Sequence, residues 1–382
     1  MKIVLAPNSF RDALAAPAVA RAMAVGVERA EPAAEVVQLP LADGGDGTLE
    51  VLAELLSATL HTVTVTDSLG RPVEARLALA DGGRTAILEM AEANGLRRLT
   101  PAERDPLRSH TGGTGEMIRA ALDLGARQIL LGAGGSATID GGTGALAALG
   151  AVFRDAGGDA LDPSPAALTR LATLDLTGLD PRLRESRITV LADVSTSLER
   201  HVRVYGEQKG AAPEDRPTLE AHLARVADLA ASHGHAVAGR PWYGAAGCMA
   251  GGLAAFAGAQ VVGGGEEIVR HANLRRHLAD ADLVLSGEGR VDASSFEHKL
   301  PAVVAATALE VGVPLILLAG QLDGARALPG VVAAFSLSSG PEDLSAAIAR
   351  TAERLTETSE QIVRLFSSAR RPVEASGWST QR

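Results

Sequence analysis

The sequence predicts an α/β protein of two domains, a doubly wound parallel-sheet domain with a second α/β mixed-sheet domain inserted into it. Apolar, β-branched runs alternate with segments of helical periodicity at both ends of the chain, the pattern that βαβ crossovers and a parallel sheet produce. Between residues 60 and 90 the texture changes to short strands joined by turn signals, which is the mark of hairpins rather than crossovers. Length agrees, since 382 residues, 46% of them hydrophobic, are enough for two cores.

In chain order, Lys2–Ala6 reads as a strand, Ala13–Glu31 as a helix and Val36–Leu39 as a strand. The loop Asp43-Gly44-Gly45-Asp46-Gly47 then leads into a helix from Thr48. Strands follow at Thr62–Thr66, Val73–Ala78 and Thr85–Met90, separated by Leu69-Gly70-Arg71-Pro72 and Asp81-Gly82-Gly83. Alternation resumes with the helix Glu116–Leu124, stopped by Gly125, the strand Gln128–Gly132 and the loop Gly134–Gly142. A strand Ile188–Ala192 ends on Asp193, and a helical stretch Arg216–His233 precedes the small-residue segment Gly244–Gly252. The last part reads as strand Leu283–Ser286, helix Pro301–Val311, strands Leu315–Leu318 and Val331–Ser336, and a final helix. Residues 1–60 plus 266–366 are thus expected to form the Rossmann-like domain and residues 61–265 the inserted one. Residues 367–382, with Arg370-Arg371-Pro372 and little apolar content, read as a disordered tail.

Composition narrows the function. Lys plus Arg number 36 and Asp plus Glu 46, a formal charge of −10. That balance argues against nucleic-acid and membrane partners, which reward basic patches. The single cysteine, Cys248, allows neither an intramolecular disulfide nor a cysteine metal cluster. Met1 runs straight into KIVLA without the regions of a signal peptide, and no apolar run is long and clean enough for a bilayer, so a soluble cytoplasmic protein is expected. Only three of the 36 basic residues are lysine: Lys2, Lys209 and Lys299. Where arginine serves almost everywhere, a retained lysine marks a place that needs a compact ammonium. Lys209 and Lys299 sit in motifs rich in glycine and acid.

Ligands of open parallel sheets bind beyond the carboxyl ends of the strands. Several loops with that placement combine Gly with Asp or Glu. Glycine lets backbone N–H groups approach phosphate, and Mg²⁺ usually takes one or two carboxylates beside substrate phosphates. Phosphoryl transfer needs that pairing. Asp43 and Asp46 flank Gly44 and Gly45; one carboxylate serves as a helix cap, and two on one short loop exceed that need. Asp193 has the placement of a magnesium ligand, with loop capping nearly as good an explanation. The loop holding Gly134, Gly135, Ser136 and Asp140 has neither a Walker nor a dinucleotide pattern. A tight turn with Ser136 or Thr138 as N-cap explains it equally well. The same holds for Thr111–Gly115, with Thr114, where capping is slightly favoured. Glu288, Arg290 and Asp292 crowd one segment ahead of Lys299, an expensive arrangement as a buried ion network and a sensible one as an anion and metal site. The histidines, His298 included, form no H-x-x-x-H pair for zinc.

These motifs come in a telling order: Ala6-Pro7-Asn8-Ser9-Phe10, Leu41-Ala42-Asp43-Gly44-Gly45-Asp46-Gly47-Thr48, Gly113-Thr114-Gly115-Glu116, Gly134-Gly135-Ser136-Ala137-Thr138, Gln208-Lys209-Gly210-Ala211 and Gly287-Glu288-Gly289-Arg290-Val291-Asp292. In them the chain resembles the bacterial glycerate kinase type I family, up to about residue 366. The resemblance implies an enzyme that phosphorylates D-glycerate with ATP and Mg²⁺, 2-phosphoglycerate being the favoured product. Its partners would be small molecules, with a homodimer left open. Residue chemistry and resemblance together select Asp43, Asp46, Asp193, Glu288, Arg290, Asp292 and Lys299 as catalytic. They select Ser9, Arg11, Gly44, Gly45, Thr114, Gly134, Gly135, Ser136, Asp140, Gln208 and Lys209 as substrate or nucleotide contacts. Asp46, Asp193 and Glu288 are the expected metal ligands. The chain departs from the family pattern at Asn8, Arg11, Ile139, Ser197, Glu207 and His298. Those departures keep open a kinase for another small hydroxy acid and a binding paralogue of low turnover.

Overall fold

The computed structural model describes residues 1–292, 295, 299–323, 329–338, 340 and 342–370. Its strands are β1 (Lys2–Leu5), β2 (Glu35–Gln38), β3 (Thr59–Thr66), β4 (Pro72–Ala80), β5 (Thr85–Glu89), β6 (Gln128–Gly132), β7 (Val152–Arg154), β8 (Thr173–Asp175), β9 (Arg187–Ala192), β10 (Gln260–Gly263), β11 (Leu283–Val291), β12 (Leu315–Leu322) and β13 (Val331–Ser336). Packing divides the chain into a terminal unit, Met1–Pro40 with Leu274–Ser294 and Val304–Arg382, and an inner unit, Leu41–Asn273 with Ser295–Val303. The sequence set these limits at residues 60 and 265. The helix Thr48–Leu55 packs on β4 and β5, and the helix Gly264–His271 packs on β9 and β10, which draws both into the inner unit.

In the terminal unit five parallel strands lie in the order β13-β12-β11-β1-β2. Numbered along the chain this is 2-1-3-4-5, a doubly wound order whose direction reverses between β1 and β11. Ile3, Val4 and Leu5 pair with Leu283, Val284 and Leu285, all fully buried, as central parallel strands require. The helix Ala16–Ala30 has Pro17 in its first turn and buries Val19, Met23 and Val27, spaced four apart. It packs along the helix Thr351–Arg370. They approach so closely that a Cβ on Gly26 would lie 2.2 Å from the Thr356 carbonyl oxygen.

Two expectations change here. β11 runs on to Val291 because β12 stays paired with it through Glu288↔Ala319 and Arg290↔Gln321, so Glu288 and Arg290 are strand residues rather than loop residues. The final helix extends through Ser367 to Arg370, where Arg370 pairs with Asp282 at 2.5 Å, so the expected tail does not begin at 367. The rest of it, 371–382, lies outside the described residues.

In the inner unit the order is β10-β9-β6-β5-β4-β3, with β5, β6, β9 and β10 parallel and β3 and β4 antiparallel. The turn signals near residues 70 and 82 thus join hairpin strands, as the sequence indicates. The short antiparallel pair β7–β8 was not legible, three residues per strand being too few to show a period. Among the described residues no helix is long and apolar enough to cross a membrane.

Candidate active site

The carboxyl ends of the inner unit's parallel strands gather the glycine and acid residues. Gly44 adopts φ +96°, and a Cβ there would lie 2.5 Å from the Leu191 oxygen, so only glycine lets the Asp43–Gly47 loop rest on the end of β9. From β6 the chain enters the turn Gly134-Gly135, where Gly134 N–H donates to Gly44 O at 3.0 Å. A Cβ on Gly134 would lie 2.4 Å from Gly45 Cα and 2.9 Å from Asp193 Oδ2. Gly135, at φ +72°, would bring one within 2.9 Å of Asp46 Oδ1. From β10, Gly264 fits against the other side of the loop, its would-be Cβ 2.2 Å from Asp43 O. The next position, Gly265, would meet Leu300 N at 3.6 Å, which brings the half-buried Lys299 to this same end of the unit. Asp43, Gly44, Gly45, Asp46, Gly134, Gly135, Asp193 and Lys299 are therefore brought together.

Helix capping does not account for the two aspartates. Gly47 N–H and Leu49 N–H, at the start of the helix Thr48–Leu55, donate to Glu89 Oε2 at 3.0 and 3.1 Å. Asp43 Oδ1 instead accepts from Gly45 N–H at 3.1 Å, closing its own turn. Asp46 Oδ1 meets Arg97 Nη1 at 3.3 Å. Burial is the main reason the Glu89 carboxyl is pushed up to about 7, with the Leu49 N–H and Arg97 opposing it. Glu89 and Arg97 escaped the sequence reading. The signal was there for Glu89, which closes an apolar strand much as Asp193 follows β9.

Lys209 is buried beneath the turn. Its ammonium donates to Ser136 Oγ at 2.6 Å and to Thr138 O at 2.9 Å. Burial brings it down to about 8, with Cys248, Asp193 and Asp140 pulling the other way. Asp140 is fully buried and already committed: Oδ2 accepts from Thr111 N–H, Thr111 Oγ1 and Gly144 N–H, and Oδ1 from Gly142 N–H. It, rather than Ser136 or Thr138, secures the turn before the helix Thr143–Ala148. Thr114 N–H and Oγ1 both donate to Asn94 Oδ1 at 2.7 Å, deep in the unit. The Gln208 side chain belongs to an exposed residue, while its carbonyl accepts from Arg104.

In the terminal unit the remaining residues lie where the strand order reverses. Ser9 N–H donates to Asn8 Oδ1 at 2.8 Å after β1. A Cβ on Gly289 would sit 3.3 Å from Arg11 N, so the segment after β1 lies beside β11. Glu288 is buried, and Arg290 lies 3.1 Å from Asp292 and 3.3 Å from Asp323. Of the departures, Ile139 is fully buried in the inner core, and His298 lies outside the described residues.

Acid and glycine converging at parallel strand ends, over a buried ammonium, can hold a polyphosphate and the cation that accompanies it. Comparison with known proteins gives the family. The sequence profile of the glycerate kinase family matches residues 3–367. The glycerate kinase of Haemophilus influenzae is 38% identical, over 96% of this chain and 99% of that protein. The glycerate 2-kinase of Escherichia coli is 40% identical, over 84% and 86%. A crystal structure assigned as glycerate kinase 2 of Salmonella typhimurium LT2 superposes with a TM-score of 0.84 at 40% identity, covering 97% of this chain and 99% of that one. The chain belongs to the glycerate kinase family, and with it to the phosphotransferases.

Proposed function

We propose that the chain transfers the γ-phosphoryl group of ATP to the 2-hydroxyl of D-glycerate, with Mg²⁺. The observation that carries this is the convergence of the Asp43–Gly47 loop, the Gly134-Gly135 turn, Asp193 and Lys299 at one end of the inner sheet. In the step, the glycerate oxygen bonds to the γ-phosphorus as the bond to the β–γ bridging oxygen breaks. ADP departs with that electron pair, and the hydroxyl proton passes to a base or to water. The residues fit a magnesium ion: Asp46 and Asp193 offer hard carboxylate oxygens against adjacent glycines, the number Mg²⁺ takes when phosphates supply the rest. When bound, it neutralises charge on the phosphates. The glycine loops let phosphates approach the backbone closely, and Lys209 and Lys299 supply positive charge.

Activity on glycerate is favoured over the paralogue alternative because Ile139 is a packed core residue of the inner unit. The name of the Escherichia coli relative supports the 2-hydroxyl. The test is ADP release with D-glycerate and a panel of other hydroxy acids, with the product's position read by phosphorus NMR. The expected product is 2-phosphoglycerate; turnover of none of the acids would overturn the proposal.

Lys209 gives a pH test with two opposite signs. An anion held by its ammonium is released as the proton leaves, so kcat/KM is expected to fall above about pH 8. Stability moves the other way. The folded value lies below the ordinary 10.5, so the unfolded chain holds more protons between about 8 and 10.5, and this group's destabilisation fades as pH rises through that window. Melting temperatures and kinetics across pH 7–10 check both, and Lys209→Met should remove both trends.

A further inference from the structure

Something other than a capping bond must aim Asp46. The segment Asn94–Arg97 runs antiparallel to the glycine turn: Leu96 N–H donates to Gly135 O at 2.8 Å and Ala137 N–H to Asn94 O at 2.9 Å, with a bridge between Gly95 and Ser136. This stitching carries the Arg97 guanidinium to the Asp43–Gly47 loop. Its Nη1 meets Asp46 Oδ1 at 3.3 Å, while Nη2 donates to Glu92 Oε1 at 2.6 Å and lies 3.3 Å from Glu89 Oε1. Both glutamates are buried. Glu92 is fixed from its far side by Arg76, whose Nη2 donates to Oε1 at 2.7 Å and whose Nε donates to Oε2 at 3.2 Å. Glu89 is fixed by the helix start it caps. A planar fork braced on two rigid, buried carboxylates thus holds out one arm to a partly exposed third. The anchors are on the inner unit's own strand and helix ends, so the arm has a defined direction.

We infer that Arg97 is a positioning residue for phosphoryl transfer, aiming the Asp46 carboxylate through a guanidinium braced on Glu89 and Glu92. The inference rests on Asp46 belonging to the active site, as proposed above. A double-mutant cycle between Asp46→Asn and Arg97→Gln, with Arg97→Lys beside it, separates the two claims. Arg97→Gln is expected to lower kcat by about 10–100-fold, the usual effect of losing a residue that orients a ligand-binding side chain, with KM for glycerate and ATP little changed. Arg97→Lys keeps the charge without the fork and should recover only part of the rate. Combined with Asp46→Asn, Arg97→Gln should add almost nothing, because nothing remains to be aimed. Calorimetric binding of ADP with Mg²⁺, read without turnover, should be little changed in Arg97→Gln, in step with its KM, and a large loss of that binding would also overturn the inference. If the glutamine variant melts early, the lysine variant carries the cycle. Multiplicative effects in the double variant, or a raised KM for ATP at unchanged kcat, would show an independent role and overturn the inference. So would a wild-type kcat in Arg97→Gln beside an impaired Asp46→Asn. A wild-type kcat in Asp46→Asn would instead remove Asp46 from the site.

Discussion

Asp46→Ala and Lys299→Ala should each lower kcat by about 10²–10³-fold or more, the range for removing one group that stabilises transition-state charge. Neither should unfold the protein. At the start of the helix Thr48–Leu55 the Gly47 and Leu49 N–H groups keep Glu89 as their acceptor when Asp46 is lost. Lys299 is half-buried at a helix start, where truncating a long cation removes little apolar contact. Steady-state kinetics with thermal denaturation make the check. Wild-type rates in both variants would end the site assignment, while a collapse of the melting temperature would point to a structural role.

Gly134→Ala is the second large effect, and it works through backbone alone. The added methyl would fall 2.4 Å from Gly45 Cα and 2.9 Å from Asp193 Oδ2, and only the latter belongs to a side chain that can turn away. The Asp43–Gly47 loop must therefore shift or the turn must open. Overpacking of this kind costs about 1–3 kcal/mol. A displacement near 1 Å at a reacting centre costs about 10²-fold in rate. The expected variant is folded, somewhat less stable and at least that much slower. Gly134→Ala with wild-type kcat would show that the loop does not hold a reacting group in place.

Much of this was legible. Val4 and Leu285 declared their strands by apolar runs, and the Gly70 and Gly82 turns declared the hairpins, because local chain stiffness and burial write themselves into neighbouring residues. The order of motifs gave the family. What stayed hidden depends on residues far apart in sequence. That Glu89 caps a helix 40 residues earlier, leaving Asp46 for other work, is a fact of three dimensions. Arg97 reads as an ordinary surface arginine until the bridge between Gly95 and Ser136 places it. An acid among glycines suits a phosphate loop and a helix start equally well, and the sequence does not show that the Asp140 oxygens accept from Thr111, Gly142 and Gly144. The extra length of β11 was hidden because Gly287 and Gly289 read as loop residues, although each lies in a ladder that β12 continues.

The terminal sheet has a consequence for how the chain comes off the ribosome. One of its inner strands, β1, is made almost first, yet its neighbour β11 begins at residue 283, and the helix that covers the Ala16–Ala30 helix begins at residue 351. The nascent amino terminus must wait, sticky and half-clothed, while everything between is synthesised. A stop codon just before the last helix leaves the Ala16–Ala30 helix without the partner that covers it. Truncations that remove the Thr351–Arg370 helix should accordingly behave as quality-control substrates rather than as slightly shorter enzymes.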